Sequence, residues 1–276
     1  MRNLKLGVSF LVKIMYDGAC MKKWKWIVIL IILNIVLLGV LIYRGRIHIN
    51  ELLAKKYPIQ GIDVSYYQGT IDWNLMQQQD VDFAFIKATE GSSHIDPKYY
   101  ENWMGILQTD IKAGAYHFFS FESSGLDQAL HYIQTVPITE GMLPPVIDVE
   151  FYGNYFSNKP DVETTRRELQ HMLWMLEAHY GMKPIIYATD SSYSLYIRDA
   201  FSGYPLWIRN VYFSPNIGMP GKWTFWQYTS TAKMEGYDGH EKYIDRNVFV
   251  GDEEAWTLFC TQKEKKIKKH ENFWKR

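Results

Sequence analysis

The sequence predicts an α/β fold: an irregular TIM-like barrel of eight strands with fewer helices, preceded by one N-terminal transmembrane helix. Three observations lead to it. From Pro58 onward, short apolar or alternating runs alternate with helical patterns, which is typical of a parallel sheet. Eight such runs occur, and eight parallel strands close into a barrel. A long uncharged apolar run near the N-terminus has the length of a membrane-spanning helix.

The eight predicted strands are short, largely apolar segments. They cover residues 61–65, 83–88, 113–119, 145–151, 184–188, 205–209, 223–228 and 243–248. Helical patterns separate most of the early segments. After Pro205 the gaps are too short for full helices, so we expect loops to join the last strands and make the barrel irregular.

The clearest helix is predicted over residues 161–180. Asp161 can cap its N-terminus, and leucine and methionine side chains recur at helical spacing to form one apolar stripe. Gly181 and Pro184 follow as stop signals. This helix is the best example of those expected between the early strands.

The N-terminal part of the chain predicts a membrane anchor. Residues 26–43 form an apolar run of 18 residues without a charge, and a helix of that length matches the hydrocarbon core of a bilayer. We expect a cytoplasmic segment at 1–25, the anchor at 26–43, a stalk at 44–57 and a catalytic domain at 58–260. The predicted location is the cell membrane, single-pass, with the domain outside the cytoplasm.

Two alternatives at this end stay open. The first is secretion after signal cleavage, although no small-x-small site follows the apolar run. The second concerns the start of translation: Met21 is followed by lysines and resembles a natural start, so residues 1–20 could lie upstream of the true one. At the other end, residues 261–276 form a basic tail with seven basic and two acidic residues.

The charge distribution separates the domain from its flanks. Residues 57–260 carry 26 acidic and 13 basic side chains, whereas the two flanks carry 17 basic and 4 acidic ones. The basic flanks suit a membrane surface or an anionic wall polymer, and the acidic body argues against nucleic acid. Cys20 and Cys260 lie on opposite sides of the apolar run, so we expect no disulfide framework. The sequence identifies no protein partner.

The strongest chemical signal is the segment PPVIDVEF. Because side chains alternate along a strand, Asp148 and Glu150 point to one face, whereas Ile147, Val149 and Phe151 point to the other. In a parallel barrel the two carboxylates then point inward near the end where active sites lie. Glycosidic cleavage uses one protonated and one ionised carboxyl group, and two neighbouring acids do not both ionise easily. Two acids held by basic partners, or binding a cation, would explain the pair equally well.

Other candidate site residues fall where predicted strands end. Asp63 and Asp245 would add acids to the same end of the barrel. The candidates for sugar binding are Tyr116, His117, Tyr187, Trp207, Trp226, Gln227, Glu90 and Lys87. Glu90 and Lys87 could instead form only an ion pair, and His117 could be a hydrogen-bonded core residue. The histidines show no H-E-x-x-H spacing, so we expect neither a metal nor another cofactor.

Seven sequence motifs resemble glycoside hydrolase family 25, the Chalaropsis-type lysozymes. They are GIDVSYYQGTIDW at 61–73, FAFIKATEG at 83–91, AGAYHFF at 113–119, PPVIDVE at 144–150, PIIYAT at 184–189, LWIRNV at 206–211 and WQYTS at 226–230. They occur in the order typical of the family. Two stretches depart from its usual pattern: Asp245 is followed by Arg-Asn rather than Leu-Asn or Leu-Asp, and LWIRNV replaces the usual Trp-Ile-Ala.

The resemblance implies a function as well as a fold. It implies hydrolysis of the β-1,4 bond between N-acetylmuramic acid and N-acetylglucosamine in peptidoglycan. It implies Glu150 as the general acid, with Asp63, Asp148 and Asp245 lining the same site. Residues two apart on a strand can bring their carboxyl groups to the separation of a retaining pair, about 5 to 5.5 Å. We favour a substrate-assisted route, in which the N-acetyl oxygen attacks the anomeric carbon and Asp148 steadies the cation. An inactive wall-binding module and a hydrolase of chitin-like chains are the alternatives.

Overall fold

The computed structural model describes residues 18–43, 49–218 and 221–261, and the chain divides into two units, Met1–Ile49 and Asn50–Arg276. The first unit contains helix α1 (Gly18–Tyr43), whose apolar side chains described between Trp24 and Val40 are exposed. Within the described residues, no helix is long and apolar enough to cross a membrane. The anchor at 26–43 therefore stays a prediction. The predicted basic tail lies outside the described residues except for Thr261.

The second unit is built on nine strands, β1 to β9 in chain order. They are Gln60–Val64, Phe83–Glu90, His94–Ile95, Lys112–Phe118, Val146–Val149, Ile185–Thr189, Leu206–Arg209, Phe225–Ala232 and Ile244–Phe249. Eight of them coincide with the predicted strands. The additional one, β3, is a two-residue strand that forms a hairpin with the end of β2.

The sheet closes on itself as an eight-stranded barrel in the order β1-β9-β8-β7-β6-β5-β4-β2, with β2 pairing back to β1. The barrel pairs β1–β2, β2–β4, β4–β5, β5–β6, β6–β7 and β7–β8 are parallel. Strand β9 is antiparallel to both of its neighbours. This corrects the expectation of a wholly parallel barrel. The segment between β8 and β9 is too short for the crossover that a parallel pair needs.

Helices cover part of the outside of the barrel. They are α2 (Ile49–Ala54), α3 (Trp73–Gln77), α4 (Tyr99–Ile106), α5 (Gly125–Thr135), α6 (Val162–Tyr180), α7 (Asp190–Ser192) and α8 (Glu253–Cys260). After β7 the described connections contain only a 3-10 turn, Pro215–Ile217, as the short gaps predicted. Helix α6 confirms the predicted one, since the Asp161 carboxylate accepts from the Thr164 N–H at 2.8 Å and Gly181 ends the helix in the left-handed conformation.

Two buried apolar clusters hold the domain together. One lies between the barrel and its helices, and includes Ile147, Val149 and the apolar stripe of α6. The other fills the barrel itself with large aromatic side chains, among them Phe85 and Trp207, whose rings stack at 4.7 Å between centroids. Glycine makes room for them: a Cβ at Gly114 would lie 2.5 Å from the Phe85 ring. Helix α8 closes the floor of the barrel with Trp256 and Phe259.

Candidate active site

A cavity of about 690 Å³ opens at the end of the barrel where the parallel strands finish. Every barrel strand contributes a lining residue from its own length. Nine of the residues predicted for the site line it: Asp63, Lys87, Tyr116, Asp148, Glu150, Tyr187, Trp207, Gln227 and Asp245. The arrangement follows from the fold, because the carboxyl ends of parallel strands meet at one end of a barrel.

The alternation of side chains along β5 places both acids of the central segment in this cavity. Asp148 lies within the strand and Glu150 directly follows it, and both line the cavity. Ile147 and Val149 point the other way and are buried against the helices. These four residues divide between the two faces as predicted. Phe151, predicted to share the outer face, also lines the cavity, because it lies beyond the end of the strand at Val149.

Asp63 and Asp245 approach the same point from the strands that close the barrel. They are paired residues of β1 and β9, and both line the cavity with Asp148 and Glu150. Four carboxyl groups thus share one partly enclosed space. Such crowding disfavours full ionisation, because each added charge repels those already present.

Burial raises the pKa of all four acids, and repulsion between carboxylates adds to the rise at Asp148, Glu150 and Asp245. Burial is the main cause for Asp63, whose pKa rises to about 6 against the lowering effect of hydrogen bonds from Asn247 and Gln227. Burial and then the nearby Glu150 raise the pKa of Asp148 well above its ordinary value. Burial raises the pKa of Glu150, and the positive charge of Arg209 opposes this rise. The cluster therefore retains protons at a pH where exposed carboxyl groups have lost theirs.

Burial, followed by the charge of Asp63, raises the pKa of Asp245 well above its ordinary value. The guanidinium of Arg209 opposes this rise, as it does at Glu150. Arg209 ends β7 and was missed at the level of sequence. A signal was available, because Arg209 lies two residues after Trp207 and the two side chains therefore share the inner face.

Hydrogen bonding differs sharply between two of the acids. The Oδ2 atom of Asp63 accepts from the Gln227 Nε2 and the Asn247 Nδ2 groups, each at 2.8 Å. The Oδ1 atom of Asp148 is buried and has no hydrogen-bond partner within the described part of the chain. Asp63 thus lies in surroundings that favour its anion, whereas Asp148 lacks comparable support.

His117 and Trp226, both predicted to bind substrate, lie away from the cavity. His117 is fully buried between Thr89, 2.7 Å from its Nδ1, and Gln128, 2.9 Å from its Nε2, and burial lowers its pKa to about 3. The Trp226 Nε1–H donates to the backbone oxygen of Asn210 at 2.8 Å. Each has a strand neighbour that lines the cavity, so each must face outward. We correct their assignment to structural residues of the outer face.

Glu90 also lies outside the cavity lining. Its Oε2 forms an ion pair of 2.8 Å with the Nζ of Lys87, which does line the cavity. The positive charge of Lys87 lowers the pKa of both Asp148 and Glu150, against the stronger effect of burial. Glu90 is therefore corrected from a predicted substrate-binding residue to the ion-pair partner of Lys87, and its charge also raises the pKa of Asp148.

Exposed aromatic rings on the cavity walls were not predicted. Tyr67 follows β1, Phe156 lies in the turn after β5, and Tyr243 precedes β9; they are 54%, 66% and 37% exposed. Flat apolar faces beside a polar cleft suit stacking against sugar rings. The Tyr-Tyr pair after Asp63 was a usable sequence signal, whereas Phe156 comes from a loop without one. Among the described residues, no group of His, Cys, Asp or Glu could hold a metal ion.

Comparison with known proteins supplies the family. The model of "Glycosyl hydrolases family 25" matches residues 62–237. The chain belongs to glycosyl hydrolases family 25. The predictions of this family and of a glycoside hydrolase of the muramidase type are confirmed. The family 25 match includes Asp63, Asp148 and Glu150 and ends before Asp245, whose place at the site rests on the pairing of β9 with β1.

Similar proteins include both characterised and uncharacterised relatives. Lysozyme M1 of Streptomyces globisporus is 32% identical over 217 residues, 70% of this chain and 68% of that protein. The uncharacterized protein YegX of Escherichia coli K12 is 37% identical over 214 residues, 75% of each chain. A family 25 glycosyl hydrolase structure from Bacillus anthracis superposes with a TM-score of 0.71 at 50% identity and covers 74% of this chain and 94% of that one.

Proposed function

We propose that this family 25 chain cleaves the β-1,4 bond between N-acetylmuramic acid and N-acetylglucosamine in peptidoglycan. The observation that carries the proposal is the cavity in which Asp148 and Glu150 lie together with the buried Asp63 and the half-buried Asp245. Support comes from the relatives named Lysozyme M1 and, in Chalaropsis, N,O-diacetylmuramidase at 26% identity. The exposed aromatic rings along the cavity walls suit a glycan strand.

Glu150 acts first as general acid. Burial raises its pKa, which favours the protonated form that can give its proton to the glycosidic oxygen as the bond breaks. The N-acetyl oxygen of the substrate attacks the anomeric carbon and forms a cyclic cation. Glu150, now ionised, takes a proton from the water that opens this ring. The two displacements at one carbon retain its configuration.

Asp148 stabilises the charge that appears during this step. In the free site, burial and the nearby Glu150 disfavour its anion. When substrate binds, Asp148 releases its proton to water, and its carboxylate then stabilises the N-acetyl group as that group becomes positive. Asp148 therefore binds the transition state more strongly than the ground state, which is the condition for catalysis.

The test is mass spectrometry of fragments released from purified peptidoglycan by the detergent-solubilised full chain. We expect products that end in N-acetylmuramic acid, and a Glu150→Gln variant about 10²- to 10⁴-fold slower because it lacks the proton donor. Near-normal lysis by Glu150→Gln would rule out this role. NMR of fresh products should show the β anomer, and the α anomer would exclude the substrate-assisted route even if Glu150 is essential.

Two other activities give different outcomes in the same assays. A wall-binding module would retain wall fragments without releasing reducing ends. A hydrolase of chitin-like chains would cut N-acetylglucosamine oligomers at least as well as peptidoglycan. The four acids in one cavity argue against a module that only binds, and the relatives named lysozyme and N,O-diacetylmuramidase favour peptidoglycan over chitin-like chains.

We also propose that residues 26–43 anchor the enzyme in the cell membrane, with the catalytic domain outside the cytoplasm. Support comes from the uncharged apolar run and from the helical backbone of α1. The measurement is fractionation: the full chain should stay in the membrane pellet after alkaline carbonate washing, and a chain lacking residues 1–43 should not. Release of the full chain as a shortened protein into the medium would instead indicate signal cleavage.

A further inference from the structure

Two buried amide side chains hold Asp63 in an arrangement that the proposed chemistry does not itself explain. The Nδ2 group of Asn247 and the Nε2 group of Gln227 both donate to Asp63 Oδ2, each at 2.8 Å. Asn247 is fully buried and Gln227 nearly so. They are paired residues of β8 and β9, where the antiparallel strand closes the barrel.

The orientation of the Asn247 amide is fixed by a tryptophan. The Nε1–H of Trp207 donates to Asn247 Oδ1 at 2.8 Å. Since an indole N–H only donates, it can face the oxygen end of the amide but not the nitrogen end. The nitrogen end of Asn247 is therefore turned toward Asp63.

Tyr187 supports Gln227. Its hydroxyl donates to Gln227 Oε1 at 3.1 Å, which leaves the amide nitrogen for Asp63; a hydroxyl can also accept, so this bond constrains the amide less strictly than the indole N–H does. Tyr187 and Trp207 are in edge-to-face contact, with ring centroids 4.6 Å apart. The two aromatic side chains thus support both amides from one packed group.

An oxygen that accepts two amide N–H groups is poorly placed to carry a proton. Neither amide nitrogen can accept a hydrogen bond, so protonation of Asp63 Oδ2 would set three donors against one another. The Oδ1 atom of Asp148, by contrast, has no partner within the described residues. The hydrogen bonding of the cluster is therefore unequal between these two acids.

We propose that Asn247 and Gln227 are positioning residues that keep Asp63 ionised, so that the protons of the cluster stay on Asp148 and Glu150. The inference rests on the proposed function for its catalytic meaning, because Glu150 must hold a proton to act as an acid. Asp63 then carries a fixed negative charge, whose repulsion raises the pKa of the neighbouring acids so that they retain their protons. Trp207 and Tyr187 act through the amides rather than on the substrate.

Of the other charged groups that the structure describes around Asp63, one favours its anion and the others disfavour it. The cation of Arg209 favours its anion. Among the described residues, the other titratable groups whose pKa the charge of Asp63 raises include Asp148, Glu150, Asp245, Tyr116 and Tyr187. The three acids repel a charge on Asp63, so without the amide donors its proton would be held more tightly.

The test is a carboxyl titration of the detergent-solubilised full chain by ¹³C NMR with carboxyl-labelled aspartate. The Asp63 signal is assigned by its loss in Asp63→Asn. In Trp207→Phe, which removes the N–H, we expect the titration midpoint of Asp63 to rise by about one pH unit. Tyr187→Phe should give a smaller rise, and it keeps the test open if Trp207→Phe does not fold. An unchanged midpoint in the folded variants would overturn the proposal.

Phe85→Leu is the matched control. It disturbs the ring stacked on Trp207 but removes no hydrogen bond, so stability should fall while the Asp63 midpoint stays in place. In the lytic assay, the acidic limb of kcat/KM should move to higher pH in Trp207→Phe and not in Phe85→Leu. The titration requires no turnover. If the wild type does not cleave peptidoglycan but Trp207→Phe still raises the Asp63 midpoint, only the proposed function fails. If the wild type cleaves peptidoglycan and the midpoint does not move, only the positioning role fails.

Discussion

At the scale of single residues, the cleft acids lie in surroundings that oppose their ionisation. Asp148 is the clearest case, since it is buried, has an oxygen without a partner within the described residues and lies near Glu150. A raised pKa in the folded state means that the folded protein binds the proton more tightly than the unfolded chain does. The resulting contribution to stability is present at low pH and is lost as the pH rises through the folded-state pKa.

Asp148→Asn should therefore stabilise the fold at neutral pH while it impairs lysis. We expect a gain of about 1 kcal/mol at pH 7, which raises the Tm by about 2 to 4 °C. The gain should shrink toward pH 4, where this carboxyl begins to hold a proton in the unfolded wild type as well. Thermal unfolding followed by circular dichroism at both pH values measures it. Asp199→Asn, on the surface, is the control; a loss of stability in Asp148→Asn at pH 7 would contradict this account.

The alternation of side chains along a strand was informative at this scale wherever it was applied to every residue of that strand. It placed Asp148 and Glu150 in the cavity. The same rule excludes His117 and Trp226, because each has a strand neighbour that faces inward. The hydrogen bonds around Asp63 could not be predicted, since they depend on how strands distant in sequence are registered across the closing of the barrel.

At the scale of elements, helix α8 completes the barrel. It places Trp256 and Phe259 across the floor, where Phe259 contacts the rings of Phe225 and Phe249 at 5.4 and 5.5 Å between centroids. The sequence identified neither this helix nor its role, because eight residues with only two buried positions show no long apolar stripe. The direction of β9 was missed for a related reason, since strand periodicity is the same for parallel and antiparallel pairing.

Phe259→Ala should destabilise the domain strongly, because it leaves a cavity among aromatic rings that cannot easily close. Substitutions of this kind cost about 3 to 5 kcal/mol. Leu258→Ala changes the neighbouring residue on the same helix, which is 53% exposed, and should cost less than about 0.5 kcal/mol. Urea unfolding of both variants gives the comparison. Equal losses in the two would mean that α8 does not fill the floor as described.

At the scale of the whole molecule, one closed sheet separates two kinds of interior. Aromatic side chains fill the barrel below the acids, and aliphatic and aromatic side chains fill the layer between barrel and helices. The number, order and approximate limits of the eight barrel strands were predictable, because buried strands and turn residues leave a local pattern. The closing of the barrel by β9 was not, because it depends on pairing between the first and last strands.

That pairing has a consequence for how freely the chain can be rearranged. Gln60 is paired with Val248, and the Phe249 N–H donates to the Ile59 oxygen at 3.1 Å, so the beginning and the end of the barrel are neighbours. Closure of the barrel depends on which strands pair and not on the order of the strands along the chain. A circularly permuted gene, with a linker across this junction and new ends in a surface loop, would preserve every strand pairing and the acids that those pairings bring together.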